Sequence, residues 1–261
     1  MRCPALLLLL STLLISTSFL NAQTSDEGVH APDGGTIEIT SSIFIPPLRN
    51  APFSATVTAV WTKQLEDGTS VTHQNHRVIM RDSQGRIFQE RRTFVPKDSS
   101  DQPRLRLTEI SDPLTHALYI CRPGIHVCDE RGYFAPVKMA VRPAGPLNKN
   151  GNRTLTREDL GKDTMSGLDV TGTRETMTIA IGVIGNDKPI SVTKEFWYSP
   201  QLGINIVVKR SDPRSGTQTF TVNDISLAEP DPANFAVPAG YRISDHRIIQ
   251  KSTTGGVAHG N

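Results

Sequence analysis

The chain has 261 residues, 37% of them hydrophobic and 21% charged. That balance suits a folded globule and excludes disorder of the whole chain. With 28 basic against 26 acidic side chains, a net charge of +2 and only 6% aromatic residues, it lacks the clustered basic excess and the stacking platforms of a nucleic-acid binder.

The first segment reads as an address. Arg2 supplies a short positive start, the stretch at 5–19 is apolar or small with LLLLL at 6–10, and Asn21-Ala22-Gln23 follows as a small-residue cleavage site. This is the layout of a secretory signal peptide over residues 1–22. The apolar run is shorter than the roughly 20 residues of a transmembrane helix, so no stable membrane span is expected once it is removed. The expected location is periplasmic or secreted. Residues 23–50, with Asp33-Gly34-Gly35, Pro46-Pro47 and one strand-like scrap, TIEIT at 36–40, read as a flexible leader. His30 falls in this polar end.

Residues 51–248 read as a single β-rich domain. In FSATVTAVW, Phe53, Ala55, Val57, Ala59 and Trp61 alternate with Ser54, Thr56, Thr58 and Val60, the period of a half-buried strand. Asp67-Gly68 turns the chain, and Ser83-Gln84-Gly85 turns it again into RIFQERRTFV. Loss of Cys3 with the signal peptide leaves Cys121 and Cys128 in an oxidising compartment. If Gly124-Ile125 is a two-residue hairpin loop, the two cysteines face each other within disulfide reach. A structural staple is favoured over a redox pair, which prefers two intervening residues, and over half a zinc site, which lacks its second pair.

The run at 142–152, RPAGPLNKNGN, reads as a loop. Thr156, with acids following and Gly161 behind, predicts a helical turn or two. Met177, Ile179, Ile181 and Val183 then alternate with small and hydroxyl residues, and turns at 185–187, 199–203 and 211–216 separate PISVTKEFWY, INIVVKR and TQTFTVNDISL. Asp231-Pro232 predicts one capped helical turn ending near Phe235. Residues 249–261 read as a disordered tail. Strands that recur without intervening helices predict an all-β, mostly antiparallel fold.

No nucleophile elbow, HExxH, P-loop or dinucleotide fingerprint is present. His73 and His76 form HxxH, but on a strand that spacing sends the rings to opposite faces, so no metal and no cofactor is expected. Six aromatics, Phe53, Trp61, Phe196, Trp197, Tyr198 and Phe220, are either packing groups or the lining of an apolar cavity. Arg77, Arg81, Arg86, Arg91 and Arg92 gather around one hairpin, and Lys194, Lys209, Arg210 and Arg214 around another. These are solvated charges that block edge pairing, or contacts for an anionic head group or a partner's acidic face.

RDSQGRIFQE, ISDPLTHALYI and the long run from GTRETMTIAIG to NFAVPAGY resemble a group of uncharacterised exported proteins from acidobacterial-type bacteria, over roughly residues 53–241. The strand succession and the ending EPDPANFAVPAGYRI are more distantly similar to the LolA/RseB-like superfamily of periplasmic lipoprotein carriers and sensors. That similarity implies a curved, incompletely closed antiparallel sheet, a half-barrel with a few short helices, whose unplugged hollow holds an acyl chain or hydrophobic segment. The expectation is an exported, non-catalytic carrier for a hydrophobic ligand or lipoprotein-like partner, with Phe53, Trp61, Phe196, Trp197 and Phe220 as candidate ligand contacts. The alternatives are an envelope interaction or sensor module and, behind it, a hydrolase with dispersed carboxylates.

Overall fold

The computed structural model describes residues 30, 31, 33, 43–134 and 141–247. The signal segment at 1–22, the TIEIT stretch at 36–40 and the tail at 249–261 lie outside them. The strands are β1 (Phe53–Gln64), β2 (Ser70–Arg81), β3 (Ile87–Arg92), β4 (Val95–Pro96), β5 (Leu105–Asp112), β6 (Ala117–Arg122) and β7 (Val127–Gly132), then β8 (Gly145–Pro146), β9 (Arg153–Met165), β10 (Leu168–Ile179), β11 (Ile190–Ser199), β12 (Ile204–Asp212), β13 (Gly216–Ser226) and β14 (Arg242–Asp245). With 57% strand and 3% helix the fold is all-β, and its one large curved sheet is not closed into a barrel.

The strand order is β14-β7-β6-β5-β3-β2-β1-β13-β12-β11-β10-β9-β8, with β4 attached to β2 beside that path. Among the described strands only β14 on β7 is a parallel pair. Hairpins build most of the sheet, and β1 on β13 is the joint that brings its two halves together across the length of the chain. On β1 the predicted alternation is realised: Phe53, Ala55, Val57 and Ala59 are buried and their neighbours half-exposed. Ile204 to Val208 of β12 are all buried, so the first half of this strand is covered on both faces.

Cys121 and Cys128 are opposite each other on β6 and β7, bonded and fully buried. The loop between them has four residues rather than two. Pro123 to Ile125 form a 3-10 turn, and His126 takes the left-handed conformation. Asp231 caps the turn at Pro232–Phe235 through its carboxylate, which accepts the Ala233 N–H at 2.9 Å, and Phe235 is buried under the Arg86 guanidinium.

Two local expectations are corrected. Thr156 to Gly161 form no helix but lie inside β9, paired with β10 on either side of a bulge at Leu160. A helix of two turns cannot hold itself in water, whereas as a strand the same residues set Arg157 against Glu175 and Glu158 against Arg174. Ile181 and Val183 do not continue β10, which ends at Ile179; they belong to the turn where Asn186 donates to the carbonyls of Ala180 and Lys188.

Candidate functional site

Register places side chains from distant parts of the sequence in two adjacent rows on the face of the sheet that carries Phe53 and Val57, its inner face. The first row runs Thr173, Phe196, Val208, Phe220, Ala59, Asn75 across β10, β11, β12, β13, β1 and β2, each directly opposite the next. The second, two residues along each strand, runs Arg157, Glu175, Lys194, Arg210, Gln218, Trp61 across β9, β10, β11, β12, β13 and β1. An apolar row therefore lies beside a charged one, with directly opposed side chains about 5 Å apart.

The charged row does not balance by itself. Arg157 donates to Glu175 at 2.7 Å, which leaves Lys194 and Arg210 as opposed like charges, an arrangement that costs free energy in a sheet. Burial lowers the Lys194 ammonium below its ordinary value and pushes the Arg210 guanidinium down to about 10. Arg210 is buried and Lys194 partly so, and the two cations directly oppose each other, so an anion placed between them is favoured.

The leader supplies that anion. Asp33 accepts from Lys194 Nζ at 2.8 Å and also from Arg210. Three residues earlier, the His30 ring stacks on Phe196 with centroids 3.9 Å apart and planes 8° from parallel, and its Nε2 lies 3.2 Å from Glu175 Oε1. Burial acts to raise the Glu175 carboxyl, but the hydrogen bonds from His30 and Arg157 outweigh it and hold the group below the usual carboxylate range. Between these two anchors Asn205, fully buried, grips the main chain: its Oδ1 accepts the Ala31 N–H at 3.1 Å and its Nδ2 donates to the Ala31 carbonyl at 3.0 Å. Further on, Asp33 forms a bridge with Ile43, and Ile43 and Ile45 enter the same buried cluster as Phe53, Phe196 and Phe220. The described residues of the leader, His30, Ala31, Asp33, Ile43 and Ile45, thus lie on the inner face that was expected to stay open.

The residues singled out from the sequence separate into distinct environments. Phe53, Phe196 and Phe220 come together in the buried cluster. Trp61 stands at the end of the charged row, its indole N–H donated to the Ser215 carbonyl at 2.9 Å. Trp197 points to the opposite face from Phe196, lies against Gly172 and donates to Glu195 at 2.9 Å. Of the arginines, Arg86 is bound to Asp82 and Arg92 grips Glu90 with two donors. Arg91 donates to Glu109 at 2.5 Å, and Arg81 is fully buried among three carbonyls, which leaves it no contact with an outside anion. His30, Asp33, Glu175 and Asn205 were missed, and Lys194 and Arg210 were seen only as members of a basic strip.

Arg77 is the exception among the arginines. It is buried on β2 opposite Val57, and among the described residues neither Nη atom has a hydrogen-bond partner. Burial, helped by the nearby Arg91 charge, pushes it down to about 9 against the pull of Glu109 and Glu90. A buried charge without hydrogen bonds opposes folding, and an apolar side chain of similar length removes that penalty. Arg77→Met is therefore expected to raise stability by about 1–3 kcal/mol, measured as a higher urea midpoint at unchanged slope. A lower midpoint would show instead that the guanidinium supports the fold.

A separate open cleft of about 420 Å³ lies between Pro200 and the β9–β10 hairpin, with Lys162, Asp163 and Asp169 on its walls. It is away from both rows. Among the described residues no group of three or more His, Cys, Asp or Glu side chains is placed to share a metal ion, and no helix is long and apolar enough to cross a membrane.

No family model matches the chain, and no curated protein matches it. Some solved structures are similar to it. One is an uncharacterized conserved protein from Thermus thermophilus, at 8% identity and a TM-score of 0.38 over 75% of this chain and 90% of that one. Another is the MucA/MucB complex of Pseudomonas aeruginosa, at 12% identity and a TM-score of 0.35 over 75% of this chain, which spans 59% of the matched chain's length. A third is the Mycobacterium tuberculosis lipoprotein LppX, at 12% identity and a TM-score of 0.25 over 68% of this chain and 88% of that one.

Proposed function

We propose that the protein is an exported binding module that takes an extended, partly apolar segment onto the inner face of its sheet, without catalysis. The observation that carries this is the occupant already there: Ile43 and Ile45 of the leader lie in the cluster of Phe53, Phe196 and Phe220. A face that accepts apolar side chains of its own chain, beside an Asn205 that bonds both the N–H and the carbonyl of Ala31, has the chemistry to accept another segment. The signal-like segment at 1–22 supports export, and the Cys121–Cys128 bond suits an oxidising compartment.

The test uses the chain from residue 23 onward, alone and as the double variant Ile43→Ser, Ile45→Ser, which weakens the leader's hold. A tethered leader competes at an effective concentration in the millimolar range. The variant is therefore expected to take up dansyl-undecanoate at least tenfold more tightly than the parent chain. A folded variant that gains no affinity for this acyl probe, with no ligand seen by native mass spectrometry, would remove the support for an apolar binding face.

A further inference from the structure

Resting on that function, the geometry points to a peptide site at the junction of the two rows, one that His30, Ala31 and Asp33 occupy in cis and that an acidic peptide of a partner protein occupies in trans. We infer the recognised pattern from what each residue meets. Asn205 reads a main-chain amide from both sides, N–H and C=O, which requires a polypeptide and is indifferent to its side chain. Phe196 offers a face to a planar ring one residue earlier, as the stack with His30 shows. Lys194 and Arg210 together take a carboxylate two residues later. The motif is ring, small, any, acid.

An acyl chain meets only part of this chemistry. It has no amide for the two bonds to Asn205, a side chain with no other partner among the described residues. The charges likewise favour an acidic peptide: Lys194 and Arg210, opposed on neighbouring strands, both take the Asp33 carboxylate. The compensating carboxylate comes from a segment joined to Ile43 through nine residues, 34–42, and a tethered ligand of this kind exchanges with a free one of the same pattern by mass action.

The probe is the fluorescein-labelled peptide GVHAPDGG, residues 28–35, titrated by anisotropy onto the chain from residue 23 carrying His30→Ala and Asp33→Asn. Binding is expected to be at least tenfold tighter to this variant than to the parent chain, whose own leader competes. In the peptide, the acid-to-amide change is expected to weaken binding about tenfold. In the protein, Lys194→Gln is expected to weaken it about fivefold and Asn205→Leu to abolish it. If Asn205→Leu does not fold, Asn205→Asp, which keeps the acceptor and loses the donor, serves in its place and is expected to cost at least tenfold. If the double variant does not fold, Asp33→Asn alone is titrated in the same way.

Absence of peptide binding to the folded variant, while dansyl-undecanoate still binds, overturns the peptide site and leaves the apolar face standing; absence of both overturns the two together. A parent chain that is dimeric and dissociates on addition of the peptide overturns the partner assignment, because the occupant is then a second copy's leader.

Discussion

Arg81→Ala is expected to lower stability by about 3–5 kcal/mol, since a hydrogen bond to a charged group contributes roughly 1.5–3 kcal/mol each and this side chain makes three. Its Nε donates to Ala51, its Nη1 to Pro46 and its Nη2 to Leu202, all at 2.9 Å. These carbonyls belong to the approach to β1, the leader and the β11–β12 turn, segments that sequence distance would otherwise leave to drift. The guanidinium also lies 5.1 Å above the centre of the Phe53 ring. Burial pushes its pKa down to about 10, so it remains charged at neutral pH, and its desolvation cost is what keeps the net effect below the sum of the three bonds. Arg81→Lys is expected to recover little, because one ammonium at the end of a flexible stem cannot satisfy three carbonyls set in a planar fork. Urea denaturation checks both variants. An alanine variant within about 1 kcal/mol of the parent, less than a single such bond contributes, would show that the three carbonyls find other donors, and that the leader is held elsewhere.

Much of the sheet was legible because its signals are local. The alternation from Phe53 to Trp61, the turn chemistry at Asp67-Gly68 and the cap at Asp231 each depend on residues within a few positions of one another. The disulfide was legible for the same reason. The site was not, because it depends on register between strands. Counted back from the SPQLG turn, Tyr198 pairs with Asn205, and simple continuation would set Lys194 against Lys209. A β-bulge between Trp197 and Tyr198 shifts the ladder by one, so that Lys194 faces Arg210 instead. A one-residue shift exchanges which side chains share a face. It puts Lys209 on the other side, where it meets Glu195 at 2.8 Å, and leaves the inner cation pair that Asp33 joins.

The leader was illegible for a different reason. Its Gly and Pro content looks like a linker, and His30 and Asp33 have no periodic apolar neighbours to mark them as packed. The one signal available was Ile43 and Ile45, an alternating pair with no strand partner of its own in the sequence. Buried by the sheet at 1% and 4% exposure, these two side chains tie the leader to the core, while His30 and Asp33 tie it to the rows. The two ends are held by different forces. For a binding face this has a consequence: salt weakens the ionic end and leaves the apolar end almost unchanged.

Gly216→Ala is expected to cost about 3 kcal/mol or more, combining about 1–3 kcal/mol for a side chain forced to positive φ with a similar amount for overpacking. Gly216 begins β13 at φ +94°, and a Cβ there would lie 2.2 Å from the Thr62 carbonyl oxygen and 3.0 Å from Lys63 Cα. Both are main-chain atoms of β1, and neither can retreat without opening the β1–β13 pairing at Thr62 and Thr217. That pairing is the joint between the two halves of the sheet, and it also fixes Trp61 and Gln218 at the end of the charged row. Gly68→Ala separates the two contributions, because Gly68 has φ +85° but nothing within 4 Å of the added carbon. It carries the backbone strain alone and is expected to cost about 1–2 kcal/mol. Equal losses at the two positions, measured by urea denaturation, would mean that the β1–β13 joint yields to the methyl group and that the rows it aligns are less rigidly held than their register implies.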